Sequence, residues 1–201
     1  MKKLLFILGI PALLFGIVLL MAVGTYNGLV SRAQAVDAAW AQVENVYQRR
    51  ADLVPNLVNT VSGAADFEKS TLTEVTRARA SVGSIQLPPG AAPNAAQLAA
   101  FQSAQSELGS ALSRLLVTVE RYPTLTATAG FRDLQAQLEG TENRIAVERG
   151  KFNTVVQGYN TAIKRFPAVM VAGMFGHEPR AYFTADPGAN VAPTVNFGGK
   201  P

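Results

Sequence analysis

The stretch VSGAADFEKS, residues 61–70, decides the fold. On both sides of it apolar residues recur at alternating steps of three and four. That is the spacing of a helix face that stays on one neighbour, not the period of two of a strand. Before it stand Leu29, Ala33, Val36, Trp40, Val43, Tyr47, Arg50, Val54, Leu57 and Val61; after it come Leu72, Val75, Ala78 and Val82. Inside it Ser62-Gly63 offers a helix stop, with glycine at the position past the last turn, and Asp66 offers a side-chain acceptor for the first amides of a new helix. If the chain breaks there, the spacing predicts four helices, 26–62, 66–82, 94–122 and 127–166. If it does not, one helix continues to Val82 and three result.

Working outward, residues 83–93, GSIQLPPGAAP, are dense in breakers and read as a loop. The next seam is Leu98, Phe101, Gln105, Leu108, Leu112, Leu115, Val119 and Tyr122, stopped by Pro123. The last is Phe131, Leu134, Leu138, Thr141, Ile145, Glu148, Phe152, Val155, Tyr159, Ala162 and Phe166, ended by Pro167. In an up-and-down bundle the first and last helices lie antiparallel, and the spans 26–62 and 127–166 match in length. That match favours four helices. With three, residues 26–50 would be a stalk whose apolar stripe needs a second copy. The expected class is all-α: an N-terminal transmembrane helix (1–25), a long antiparallel up-and-down helical bundle (26–167) and an apolar segment with an extended or disordered tail (168–201).

Arg50 and Glu148 both interrupt an apolar seam. With Phe166 level with Leu29, Glu148 falls near Tyr47 to Arg50, so a charged pair at matching depth is expected. Pro55 denies an amide to the Ala51 carbonyl. A helix kink is expected there, with a nearby side chain taking up that carbonyl.

The N-terminus opens with Lys2 and Lys3 and then runs uncharged from Leu4 to Thr25. About twenty such residues, at ~1.5 Å each, cross a ~30 Å hydrocarbon core. Ala33-Gln34-Ala35 resembles a cleavage site, but it lies beyond the apolar run and inside an amphipathic pattern, so an uncleaved anchor is the better reading. Two lysines before the segment, against Arg32 after it, place the N-terminus in the cytoplasm and the bundle outside.

Chemistry is sparse. There is no cysteine and a single histidine, His177, in a breaker-rich tail. A di-iron bundle needs two Glu-x-x-His motifs and catalytic zinc needs several ligands, so neither a metal nor a cofactor is expected. No G-x-S-x-G elbow accompanies His177, and the C-terminal GGKP lacks phosphate-loop spacing. Glu139 and Glu142 share a helix face, but a solvated salt-bridged surface is their ordinary role. Of 18 basic residues, two are Lys2 and Lys3; the remaining 16 nearly balance 14 acids without a basic run, so nucleic acid is not an expected partner. An enzyme with a small-molecule substrate is not expected either.

Residues 168–176, AVMVAGMFG, are apolar and fall near the bilayer in the four-helix arrangement. Val169, Met170, Met174 and Phe175 are candidate membrane or partner contacts, as a helix on the bilayer or as a cap on the bundle. Beyond them the composition reads as extended or disordered, with TVNF, residues 194–197, a possible docking segment.

Several motifs carry a family resemblance: YNGLV at 26–30, VDAAWAQVENVYQRRADLVPNLVNTV at 36–61, EVTRARA at 74–80, RYPTL at 121–125 and LEGTENRIAVERGKFNTVVQGYNTAIKRFP at 138–167. From about residue 24 to residue 183 the chain resembles the LemA family of bacterial single-pass membrane proteins. GKFN at 150–153 departs from the family's usual arginine and YN. The resemblance implies an N-terminal membrane helix, an antiparallel bundle and no enzyme activity. Some relatives are tied to membrane compartments in magnetosome-forming bacteria; others are encoded beside membrane metalloproteases or TPM-domain proteins. The expected role is a membrane-anchored structural protein of the bacterial inner membrane that self-associates and organises or shapes membrane. An adaptor for another membrane protein, such as a protease, is the alternative.

Overall fold

The computed structural model describes residues 2–63 and 67–185, with side chains from Leu8 onward. Within them the chain forms six helices and no strand: α1 Lys2–Ser62, α2 Lys69–Gly83, α3 Ala95–Val119, α4 Pro123–Thr126, α5 Ala129–Lys164 and α6 Ala168–Phe175. The long helix does break, so the four-helix reading holds, with two short helices added. Asp66 lies outside the described residues. The residue before α2 is Glu68, which makes no side-chain cap, and buried Phe67 packs against Tyr122 with ring centroids 5.0 Å apart. Hydrophobic anchoring thus holds this turn.

The other helix ends follow from local chemistry. Asn94 caps α3 reciprocally: its Oδ1 accepts from the Gln97 amide at 2.9 Å, and Gln97 Oε1 accepts from the Asn94 amide at 3.1 Å. Pro123 begins α4, where its missing amide costs nothing. Thr128 caps α5, its Oγ1 accepting from the Phe131 amide. Gly176 ends α6 in the left-handed conformation at φ 70°, which a side chain would resist.

At ~1.5 Å per residue α1 is ~90 Å long and α5 ~54 Å. The first third of α1 is exposed on every side described, with Leu8, Leu13, Phe15, Val18, Leu20 and Met21 all open. It is long and apolar enough to cross a membrane. From Leu29 onward a single seam is buried: Leu29, Val36, Trp40, Val43, Tyr47, Arg50, Val54, Leu57 and Val61. Proline inside α1 is accommodated at residue 55: the Ala51 carbonyl accepts from Arg79 Nε of α2 at 3.0 Å.

α5 runs antiparallel to α1. Trp40 meets Phe152 at 5.7 Å between ring centroids and Arg50 meets Glu142 at 2.8 Å. Both pairs fix the same register, three residues away from one that sets Leu29 against Phe166. The C-terminal seam of α5 accordingly runs Phe152, Val156, Tyr159, Ile163; Val155 and Ala162 are only partly buried. Phe166 is 81% exposed. A straight helix at 3.6 residues per turn drifts off a strict 3.5 repeat, and near its end α5 turns that drifted face toward α6 and the tail.

α2 and α3 form a hairpin that covers only the distal half, where Leu53, Val54, Leu57, Val61, Val75, Leu108, Leu112, Leu115, Val119, Phe131 and Leu138 share a core. In the proximal half the missing wall is supplied by the start of α3, by α6 and by the extended segment 177–185. Val171, Ala172 and Phe183 bury there against Trp40, Phe152 and Tyr159. The tail through residue 185 is therefore part of the core; residues 186–201, including TVNF, lie outside the described residues.

Phe183 lies 6.0 Å from Trp40 and 5.6 Å from Phe152, centroid to centroid. Phe183→Ala is expected to lower stability by about 3 kcal/mol in urea unfolding. Trp40, the only tryptophan, should shift its emission to the red; unchanged emission would mean that the tail does not cover it.

Candidate functional site

Three features stand out from ordinary bundle packing, and the first is Arg50. Its side chain is 4% exposed. Nη1 donates to Glu142 Oε1 at 2.8 Å, and Nη2 donates to the Gln105 carbonyl at 2.9 Å and to Gln105 Oε1. The guanidinium carbon lies 5.1 Å from the centre of the Tyr47 ring. Burial pushes the Tyr47 phenol above its usual range, while Arg149 and Arg50 pull it back. The expected partner Glu148 is not the one Arg50 meets. The three-residue register difference brings Glu142 level with Arg50, and Glu148 pairs with Lys151 one turn along the surface of α5, at 2.7 Å. Gln105 is a polar interruption in the α3 seam, and that is the signal readable in the sequence.

The second feature is a clamp on the tail. Asn160 Nδ2 donates to the Arg180 carbonyl and Asn160 Oδ1 accepts the Arg180 amide, both at 2.8 Å. Asn153 does the same for Phe183, both at 2.9 Å. Gln102 of α3 grips Thr184 in the same way, and Arg149 adds a bond to the Thr184 carbonyl at 3.0 Å. The spacing explains the fit. Asn153 and Asn160 are two turns apart, ~10.5 Å, and an extended chain covers ~10 Å in the three residues from 180 to 183. Helical side-chain amides here act as a strand edge for an extended segment. Isolated asparagines within a helix announce no such partner, so sequence reading misses them.

The third feature is the end face of α6. Val171 and Ala172 point into the bundle, whereas Val169, Met170, Met174 and Phe175 are exposed, Met174 by 80%. Phe175 also packs on Tyr26 of α1, at 4.7 Å between centroids. So α6 caps the bundle with one side and leaves an apolar side open beside the apolar run of α1.

A concavity of about 650 Å³ lies between α1, the start of α3 and residues 175–181. It holds Asp37, His177 and Tyr159, but its lining has no serine, threonine, cysteine or lysine. Asp37 accepts the Ala92 amide at 2.9 Å, and His177 Nδ1 lies 3.2 Å from the Tyr159 hydroxyl. His177 is thus half-buried and part of the packing. Among the described residues no three His, Cys, Asp or Glu side chains gather as metal ligands.

Glu142→Gln should cost about 1–2 kcal/mol, less than a fully buried pair, because the glutamate side chain is 48% exposed. Glu148→Gln should stay within about 0.5 kcal/mol; equal losses in urea unfolding would refute the observed pairing. Asn153→Ala removes two main-chain bonds and is expected to cost about 2 kcal/mol, with faster amide exchange at Phe183.

Residues 39–197 match the family model described as LemA family. Magnetosome protein MamQ of Magnetospirillum gryphiswaldense is 28% identical over 180 residues, covering 81% of this chain and 65% of that protein. Magnetosome protein MamQ 2 of Paramagnetospirillum magneticum is 26% identical over 178 residues, with the same coverage. The chain thus spans about two thirds of the length of these relatives. The family match runs through the bundle core, the Arg50 cluster and the tail clamp alike, and this chain belongs to the LemA family.

Proposed function

We propose that the protein is a membrane-anchored structural protein that organises or shapes membrane through self-association. The observation that carries this reading is the continuity of α1: one helix is apolar on every described side from Leu8 to Val23 and seam-packed from Leu29 to Val61. A rigid rod of this kind holds its bundle at a fixed height and tilt. The relatives named for the magnetosome support a membrane-organising role. The bundle seam is buried within the chain, so self-association is assigned to the bilayer segment of α1 rather than to an open stripe. In the proposed orientation the chain spans the bacterial inner membrane once, N-terminus in the cytoplasm and bundle outside. Val169, Met170, Met174 and Phe175 then rest on the bilayer.

An adaptor for another membrane protein, such as a protease, is the second reading. It is favoured by the exposed apolar side of α6, Val169, Met170, Met174 and Phe175, a surface of the kind a membrane partner covers.

The chain has no cysteine, so single labels are unambiguous. A fluorophore on Met174→Cys in the full chain, reconstituted in vesicles, should be quenched by lipids brominated near the headgroup. The same label on Glu107→Cys should not be. Absence of quenching at position 174 would remove α6 from the membrane surface. Mass measurement of the chain in nanodiscs should show assemblies of more than one copy; strictly single copies at high loading would refute self-association and leave the anchor standing.

A further inference from the structure

We infer that the membrane-facing end of the bundle binds the phosphate of an anionic phospholipid headgroup between Arg32 of α1 and Arg165 at the end of α5. The inference rests on the membrane-anchored reading and gives it a lipid preference.

A concavity of about 480 Å³ opens where α1, α5 and α6 meet. Arg32 and Arg165 line it, together with Thr154, Gln157 and Thr161 on one face of α5 and with Ala168 at the start of α6. No carboxylate lines it. Among the described residues neither guanidinium has a hydrogen bond or an ion pair, so both are open to an added anion. Gly158 lies beneath Arg32: a Cβ there would sit 3.9 Å from Nη1, in ordinary contact, so α5 itself forms the floor under the guanidinium.

Charge is segregated along the molecule in the same sense. No Asp or Glu occurs in residues 1–36 or 149–177, while the acids cluster in residues 37–148. The α1–α5 face that carries Arg32 and Arg165 therefore has no carboxylate in its lining. Asp37 and Glu178, the nearest carboxylates in sequence, line the separate concavity that holds His177.

Depth favours a lipid over a free anion. Arg32 follows the end of the apolar run at Thr25 by seven residues, ~10 Å along the helix. Arg165 is level with residue 27 of α1 in the observed register, ~3 Å beyond the apolar run, and forms the wall at headgroup depth, while Arg32 Nη1, over Gly158, forms the wall away from the bilayer. Exposed Val169 and Met170 follow Ala168 on α6 with apolar contacts of the kind acyl chains take. The planar guanidinium forks suit phosphate oxygens, and the Thr161 hydroxyl and Gln157 amide add neutral donors.

The test uses the full chain in nanodiscs of phosphatidylcholine and phosphatidylglycerol in equal amounts. Lipids that remain on the protein are counted by native mass spectrometry. The wild type should retain phosphatidylglycerol over phosphatidylcholine by roughly tenfold, as two basic side chains at a membrane surface allow. The doubly substituted chain, Arg32→Gln with Arg165→Gln, should lose that preference with helicity unchanged. Gly158→Asp, which sets a carboxylate under Arg32, should lose it as well. Equal retention of both lipids by the wild type, or a preference that survives both variants, overturns the inference. Inorganic phosphate retained on the wild type in the mixed discs with no preference for phosphatidylglycerol assigns the site to free phosphate and overturns it too. Flotation separates the two levels: a chain that does not float with vesicles refutes the anchor, and with it the lipid site. One that floats without lipid preference refutes the lipid site alone.

Discussion

Everything in this molecule depends on the antiparallel register between α1 and α5. α1 is one uninterrupted helix from Lys2 to Ser62, and α5 is the one other element long enough to run beside its packed part. The register is held at two depths by different physics. Trp40 against Phe152 fixes it by shape, deep in the proximal core. Arg50 against Glu142 fixes it by charge, because a slip would leave a buried guanidinium without its acid. Gln105 supplies the remaining acceptors from α3 and so ties the hairpin to the same level.

Given that register, the half-length hairpin becomes the main structural problem. α2 and α3 close the distal core but leave the proximal seam of α1 and α5 open on one side. The chain closes it with the residues beyond α5: a short helix laid across the end and an extended segment gripped by Asn153, Asn160 and Gln102. The extended segment has no strand beside it, so its amides and carbonyls would be unsatisfied when Phe183 is buried. Side-chain amides at two-turn spacing meet that need. Core closure and tail placement are one event, and they fix where α6 exposes its methionines.

The two ends of the bundle differ in surface. The distal end carries ordinary salt bridges, Arg114 with Glu74 and Arg121 with Glu68. The proximal end carries exposed apolar side chains on α6 and, on α1 and α5, two arginines that line a concavity without a carboxylate. Apolar groups flanked by basic ones are the pattern of a surface that meets lipid, and this end is continuous with the apolar run of α1. The proximal end is thus distinguished by its surface as much as by its packing.

Residue spacing alone determined the helices, the seam residues of α1 and α3, the loop at 83–93 and the apolar N-terminal run, because these depend on local periodicity and on breakers. It favoured a break near Gly63, through the matching lengths of the spans 26–62 and 127–166, but left one continuous helix to Val82 as the alternative. It could not determine the register, since a 3.5-residue repeat looks the same after a slip of one step, and only the volumes of Trp40, Phe152 and their neighbours separate the alternatives. For that reason spacing matches Arg50 to Glu148 instead of Glu142 and counts Phe166 as core. The tail clamp was likewise decided by tertiary structure: an asparagine on a helix surface is chemically the same whether it faces water or another part of the main chain.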